Sequence, residues 1–221
     1  GLDGSAIASV EAPLTDDVVG SVGLACRRVV EEAGDWQGPL LAAALATPGV
    51  VDPSSGELAF SYDIHDQEGL RASLEAEVGV PFVLGNDVHL AALAERAEGV
   101  ARGEQDFVLL WIGRGLGMAS VIDGKVRVGS SGAAGEIGYL PVPGVPLPSR
   151  VDNLQHGTFQ RLVGMEAVRE LVRADGGDIG QPLSEAVVTE LGQRLALGVA
   201  AISTFQDPGL IVLTGETVAE R

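Results

Sequence analysis

Residues 80–97 read Val-Pro-Phe-Val-Leu-Gly-Asn-Asp-Val-His-Leu-Ala-Ala-Leu-Ala-Glu-Arg-Ala. Residues 80–84 are a short apolar run, the pattern of a buried strand. Gly85-Asn86-Asp87 stand at its carboxyl end, and Leu90, Leu93 and Ala97 then recur at helical spacing. A strand that feeds directly into a helix is half of a parallel β-α unit. The alternation extends upstream. Residues 39–47 form a continuous apolar run closed by Pro48-Gly49, which predicts a second buried strand and a turn. After Asp66, Leu70, Leu74 and Val78 predict a short helix that Gly79 stops. Residues 16–33 place Val18, Val22, Ala25 and Val29 on one face, with Asp16 or Asp17 as N-cap and Gly34 beyond the end. The expected class is α/β, a mostly parallel sheet with helices on its faces.

The texture changes near Gly103. Residues 107–112 and 116–122 read as paired strands around Gly113-Arg114-Gly115, and Asp123-Gly124 is a hairpin signal leading into Lys125–Val128. Residues 129–138 are glycine-rich, and 141–148 hold four prolines in eight positions, the composition of an irregular surface loop. One helical period runs through Leu162, Met165, Val168 and Val172; another runs through Val187, Leu191, Leu195, Val199 and Ile202 and ends at Asp207-Pro208. Leu210–Leu213 is a final apolar strand. Both ends read as cut: Asp3-Gly4 resembles a hairpin turn lacking its first strand, and the last strand wants neighbours on both sides.

The 221 residues are 46% apolar, 20% charged and 4% aromatic, enough to bury a core without covalent staples. One cysteine, Cys26, excludes an internal disulfide framework and every multi-cysteine metal site. The net charge of −17 repels phosphate backbones, so this segment is a poor nucleic-acid binder by itself. No apolar run approaches the ~18–20 residues of a membrane helix, and no leader pattern stands at the start. The expectation is a soluble, cytoplasmic protein without membrane contact.

Three stretches carry candidate chemistry. Asn86-Asp87 lies where ligands of α/β folds sit, outside the carboxyl ends of strands; the Asp could serve as general base toward a hydroxyl that the Asn orients. The same pair could simply cap the helix that follows. Gly113-Arg114-Gly115-Leu116-Gly117 could bring backbone N–H groups close to a phosphate, or be a ligand-free hairpin turn. It lacks the Lys-Ser/Thr pair of a Walker loop and the helix of a dinucleotide fingerprint. Glu136, alone among the small residues of 132–138, could accept bonds from sugar hydroxyls or be a solvated loop carboxylate. Pro48-Gly49-Val50-Val51-Asp52-Pro53 is another strand exit, structural by default. His65, His89 and His156 share no metal-ligand spacing, which predicts no metal site.

The order and separation of these pieces carry more than any one of them. P-G-V-V-D (48–52), G-N-D (85–87), I-G-R-G-L-G (112–117) with D-G-K (123–125), G-A-A-G-E-I-G (132–138) and D-P-G-L-I-V-L-T-G (207–215) follow one another. From about Asp3 to the end, this series resembles the ROK family (repressor, open reading frame, kinase). The resemblance implies the actin-like (ribonuclease H-like) sugar-kinase fold, two lobes with a ligand cleft between them, here 1–100 and 101–221. It implies Asp87 as the base that takes a proton from a sugar hydroxyl. Asn86, Gly49 and Glu136 would line the sugar pocket, Glu136 near the anomeric end. The turn of Gly113, Arg114, Gly115 and Gly117 falls where the family holds the transferred phosphate, and Thr214-Gly215 opens its nucleotide-binding region.

Departures from the family pattern cluster on functional positions. Tyr139 stands where family kinases carry His, and the zinc-binding cysteine cluster that normally follows is replaced by the proline-rich stretch, so no structural zinc is expected. Gln155 stands at a second sugar-binding Glu. Arg114 replaces a Thr and Met118 a glycine in the phosphate turn, and the family's early D-x-G-G-T loop would precede Gly1. Asn86, Asp87 and Glu136 are kept. The combination implies a sugar pocket retained with kinase activity weakened or lost: the effector domain of a ROK transcriptional regulator, a homodimer or higher oligomer that meets DNA through a helix-turn-helix domain not present in this chain. An ATP- and Mg²⁺-dependent sugar kinase is the runner-up, and a scaffold that binds nothing small is the third. The Arg114 guanidinium would suit a ligand that already bears phosphate, so a sugar phosphate is a further candidate effector.

Overall fold

The computed structural model describes residues 6–34, 38–61, 63–65, 68–147, 157–178 and 180–215. Asp3-Gly4, Asp66, Pro148, Gln155, His156 and everything after Gly215 lie outside them. The chain divides into two compact units, Gly1–Asp87 and Val88–Arg221.

In the first unit, α1 spans Val18–Glu32, and the Asp17 carboxylate caps it by accepting from the Gly20 N–H. Strand β1 (Ala43–Thr47) pairs in parallel with β4 (Phe82–Asn86), Ala43 opposite Phe82 and Thr47 opposite Asn86. Between them lie β2 (Val50–Val51), β3 (Leu58–Phe60) and α2 (Leu70–Val78), which ends on left-handed Gly79. The core joins Leu58, Ile64, Leu70, Leu74, Phe82 and Leu84, with Val18, Val19 and Val22 of α1 against it. Two expectations are corrected. β1 and β4 bury one face only: Leu41, just before β1, and Val83 are 71% and 63% exposed. The segment after Pro48-Gly49 is no plain turn; β2 and β3 form an antiparallel hairpin too short to announce itself in the sequence.

The second unit begins with α3 (Asp87–Glu98, whose first residue closes the first unit), followed by β5 (Phe107–Ile112), β6 (Leu116–Ile122) and β7 (Lys125–Val126). Asp123 and Gly124 both have positive φ, the signature of a tight hairpin turn. A 3-10 turn lies at Ile137–Tyr139, and farther along the described residues come α4 (Gln160–Val163), α5 (Met165–Ala174), α6 (Glu185–Gln206) and β8 (Leu210–Thr214). The sheet order is β7-β6-β5-β8, with β8 parallel to β5 and the other pairs antiparallel. β5 is buried on both faces: Val108 and Leu110 face α4 and α6, while Phe107 and Leu109 face Val88 and Ala92 of α3. That second packing draws α3 into this unit, so the division falls earlier than residue 100.

Four further expectations change. α3 turns Val88, His89 and Ala92 inward and leaves Leu90 and Leu93 exposed, because small Ala92 lets the helix lie close on the sheet. The helix expected through Leu162 to Val172 breaks at Gly164, whose extended ψ of 169° separates α4 from α5. The proline-rich stretch is not wholly a surface loop: Val142 is buried and Leu140 and Val145 pack on the core. Finally, α6 is by length and composition apolar enough to cross a membrane. Its Glu190–Arg194 ion pair interrupts the run when the sequence is read residue by residue, and Leu195 and Ile202 pack on the core.

Candidate functional site

In the first unit, β1 and β4 end together, and their carboxyl ends gather the predicted residues. The Asn86 Nδ2 donates to the Gly49 carbonyl at 2.9 Å, joining the exit of β1 to the end of β4. Gly49 sits at φ +128°, and a Cβ there would run into the Phe60 carbonyl oxygen, so only glycine lets this loop lie on β3. Buried Ser61 braces it from the other side: its Oγ donates to the Pro48 carbonyl at 2.7 Å and accepts from the Asp63 and Ile64 N–H groups at 3.2 and 3.3 Å. Asp87 follows as the first residue of α3, where the helix dipole favours a carboxylate. Asp52 is taken up locally. It accepts from the Ser54 hydroxyl and N–H and from the Ser55 N–H, bonds that hold its carboxyl below the usual range.

In the second unit, Gly113–Gly115 turns from β5 into β6, whose first residues Leu116 and Gly117 complete the 113–117 stretch, and Thr214-Gly215 closes β8, the parallel neighbour of β5. Both therefore lie at one end of the sheet. Gly215 has φ +106° and lies so close to the Ile112 backbone that a Cβ would sit 2.5 Å from its carbonyl oxygen. Gly117 makes room for Val88, whose Cγ2 would be 2.7 Å from a Cβ. The turn is heavily braced: the Gly113 N–H donates to the Gly115 carbonyl at 3.1 Å, and the Gly113 carbonyl accepts from the Met165 N–H at the start of α5 at 3.1 Å. Gln160, almost fully buried, accepts from the Leu116 N–H through Oε1 at 2.7 Å and donates through Nε2 to the Arg114 carbonyl at 2.9 Å. The Arg114 side chain is exposed.

Glu136 leads into the 3-10 turn, and the loop beneath it is pinned by the Met118 N–H donating to the Gly135 carbonyl at 3.0 Å. The His89 ring nitrogen Nε2 lies 3.2 Å from the Ala134 carbonyl, which ties the same loop to α3. Glu136 and Tyr139 are both half-buried and line a groove of about 380 Å³ with Met118, Ile137, Phe205 and Gln206. Among the described residues, no group of three or more His, Cys, Asp or Glu side chains could hold a metal ion.

The structure thus brings Gly49 and Asn86 into contact, with Asp87 next to Asn86 along the chain, and places the 113–117 turn with Gly215. Gln155 lies outside the described residues. Gln160 and Ser61 escaped the sequence reading. Gln160 had one signal: a polar residue three and seven positions before Val163 and Ala167, on the face of a helical period that is otherwise buried.

The description "ROK family" fits residues 15–221. The N-acetylglucosamine repressor of Escherichia coli is 26% identical over 80% of this chain and 48% of its own length. A β-glucoside kinase of Klebsiella pneumoniae is 29% identical over 79% of this chain and 63% of its own. The crystal structure of a ROK hexokinase from Thermus thermophilus superposes with a TM-score of 0.73 at 29% identity, covering 95% of this chain and 74% of that one. The chain spans about half to three-fifths of the length of these two curated relatives, which include a regulator and a kinase. The fold is the actin-like α/β fold of the sugar kinases, and with a match over nearly its whole length, this chain belongs to the ROK family.

Proposed function

We propose that this chain is the sugar-binding effector domain of a ROK transcriptional regulator whose kinase activity is weakened or lost. In this reading Asn86, Asp87, Gly49, Glu136, Tyr139 and Gln155 meet the sugar, and Gly113, Arg114, Gly115, Gly117, Thr214 and Gly215 meet a phosphate or nucleotide. The observation that carries it is the state of the 113–117 turn. Phosphoryl transfer is accelerated mainly by positioning and by donors aimed at the moving charge. Here two of the turn's N–H groups, at Gly113 and Leu116, are spent on acceptors within the protein. Such a turn suits holding a ligand better than stabilising a transition state. The Arg114 guanidinium beside it suits a sugar phosphate. DNA contacts would come from a helix-turn-helix domain outside this chain, acting in a cytoplasmic homodimer or higher oligomer.

The placement of Asp87 directly after β4 favours a second reading, a sugar kinase using ATP and Mg²⁺ with Asp87 as base. The experiment is ATP turnover by the intact gene product against a panel of hexoses and amino sugars, with Asp87→Asn beside it. The regulator reading expects no sugar-dependent ADP release from folded protein, and sugar-dependent change in operator binding. Turnover that vanishes in Asp87→Asn would replace it with the kinase reading.

A further inference from the structure

We infer that Gln160 is a positioning residue that sets the shape of the 113–117 turn for a phosphate-bearing ligand; the inference rests on the reading that this turn meets phosphate. Four consecutive residues, 157–160, stand between two loops of the second unit. On one side the Thr158 hydroxyl donates to the Leu140 carbonyl at 2.8 Å, and the Phe159 N–H donates to the Gly138 carbonyl at 3.1 Å. These bonds hold the loop that carries Glu136 and Tyr139. On the other side the two ends of the Gln160 amide engage the turn, one as acceptor from Leu116 and one as donor to Arg114.

Thr158 and Gln160 are both essentially buried, so neither group can exchange its partner for water. A side-chain amide offers a donor and an acceptor side by side in one plane at every pH at which the protein is folded. It therefore fixes the peptide planes on both sides of Gly115, and with them the direction of the Gly115 N–H and of the Arg114 backbone. The position a Cβ on Gly138 would take is 3.6 Å from Gln160 Oε1, so the amide that grips the phosphate-side turn is a near neighbour of the sugar-side loop. Thr158 and Gln160 divide the work, one holding each loop.

This division predicts a dissociation that a merely structural role would not produce. Isothermal calorimetry on the intact gene product would compare N-acetylglucosamine, glucose and the 6-phosphate of each. Gln160→Met, close in shape but without the amide, should raise Kd for the phosphorylated ligands about tenfold or more while leaving the free sugars within about twofold, because misdirected donors cost affinity only where they are used. Thr158→Val should weaken free and phosphorylated sugars alike. Hydrogen exchange without ligand provides a second arm: Gln160→Met should speed exchange at Leu116 while Ile137 and Leu140 keep their protection. Equal losses for free and phosphorylated sugars in Gln160→Met, or no loss for either, would overturn the inference. So would unchanged exchange at Leu116, which Gln160→Leu, equally without an acceptor for that N–H, reports if Gln160→Met fails to fold. Failure of the unmodified protein to bind any of the four ligands would instead overturn the sugar reading itself, with the exchange arm still reporting whether Gln160 holds the turn.

Discussion

Gly215 and Asp52 show how far single positions are determined by their surroundings. At Gly215 the φ of +106° and the Ile112 backbone act together, since a side chain would be strained in conformation and would collide with main-chain atoms that cannot swing away. Gly215→Ala should therefore cost about 2 kcal/mol or more, read as a lower midpoint in urea denaturation; a variant as stable as the parent would show that β8 can end differently. Asp52 is a milder case with a definite sign. Its carboxyl is held below its ordinary pKa of 3.8 by the Ser54 hydroxyl first and the Ser54 and Ser55 N–H groups next. A carboxyl depressed on folding stabilises the protein above its unfolded pKa, and that contribution disappears as pH falls through the folded value. The melting temperatures of the parent and Asp52→Ala should therefore differ by a constant small amount between pH 6 and 7 and converge as the pH drops below about 4. A gap that widened in acid would remove this account of the turn.

Helices and hairpins show what a linear pattern can and cannot convey. Helix α6 starts where Ser184 Oγ accepts from the Val187 N–H at 3.2 Å, a bond that Ser184→Ala deletes at a cost of about 1 kcal/mol. Along the same helix Gly198 lies directly on the Phe159 ring, and a Cβ there would run into the ring atoms. Gly198→Ala should cost about 1–3 kcal/mol by overpacking, and Phe159→Leu in the same chain should recover part of it; the four variants of that cycle, measured in urea, test the contact. The β5–β6 hairpin and the Asp17 cap were legible in the sequence because local residues decide them; the contact of Gly198 with Phe159, 39 residues away, was not. The break at Gly164 and the hairpin of β2 with β3 were not, because a two-residue strand has no period and a glycine within a helical pattern does not say whether the helix survives it. The candidate site divides the same way. The junction of β4 with α3 could be read from Gly85-Asn86-Asp87, whereas Gln160 acts on a turn 44 residues away in sequence and no local pattern points there.

The whole chain carries its candidate residues on separately built cores. Gly49 and Asn86 depend on the cluster of Leu58, Ile64, Leu70, Leu74, Phe82 and Leu84. The 113–117 turn, Glu136 and Gly215 depend on clusters around Val108, Leu110 and Phe159 and around Phe107, Leu109 and Val121. No residue is shared between the first cluster and the other two, so a cavity made in one should be felt there first. Leu74 is completely buried, and Leu74→Ala should cost about 2–5 kcal/mol within its own unit. Native-state hydrogen exchange would then accelerate in Leu45 and Leu84, while Leu109, Leu110 and Val212 keep the rates of the parent. Because Asn86 ends the strand that contains Leu84, the same substitution should, on the proposed reading that Asn86 meets a sugar, weaken free-sugar binding while exchange at Leu116 stays slow. Acceleration spread evenly over both units would mean that the chain opens as one cooperative body, and the independence of the two cores would have to be given up.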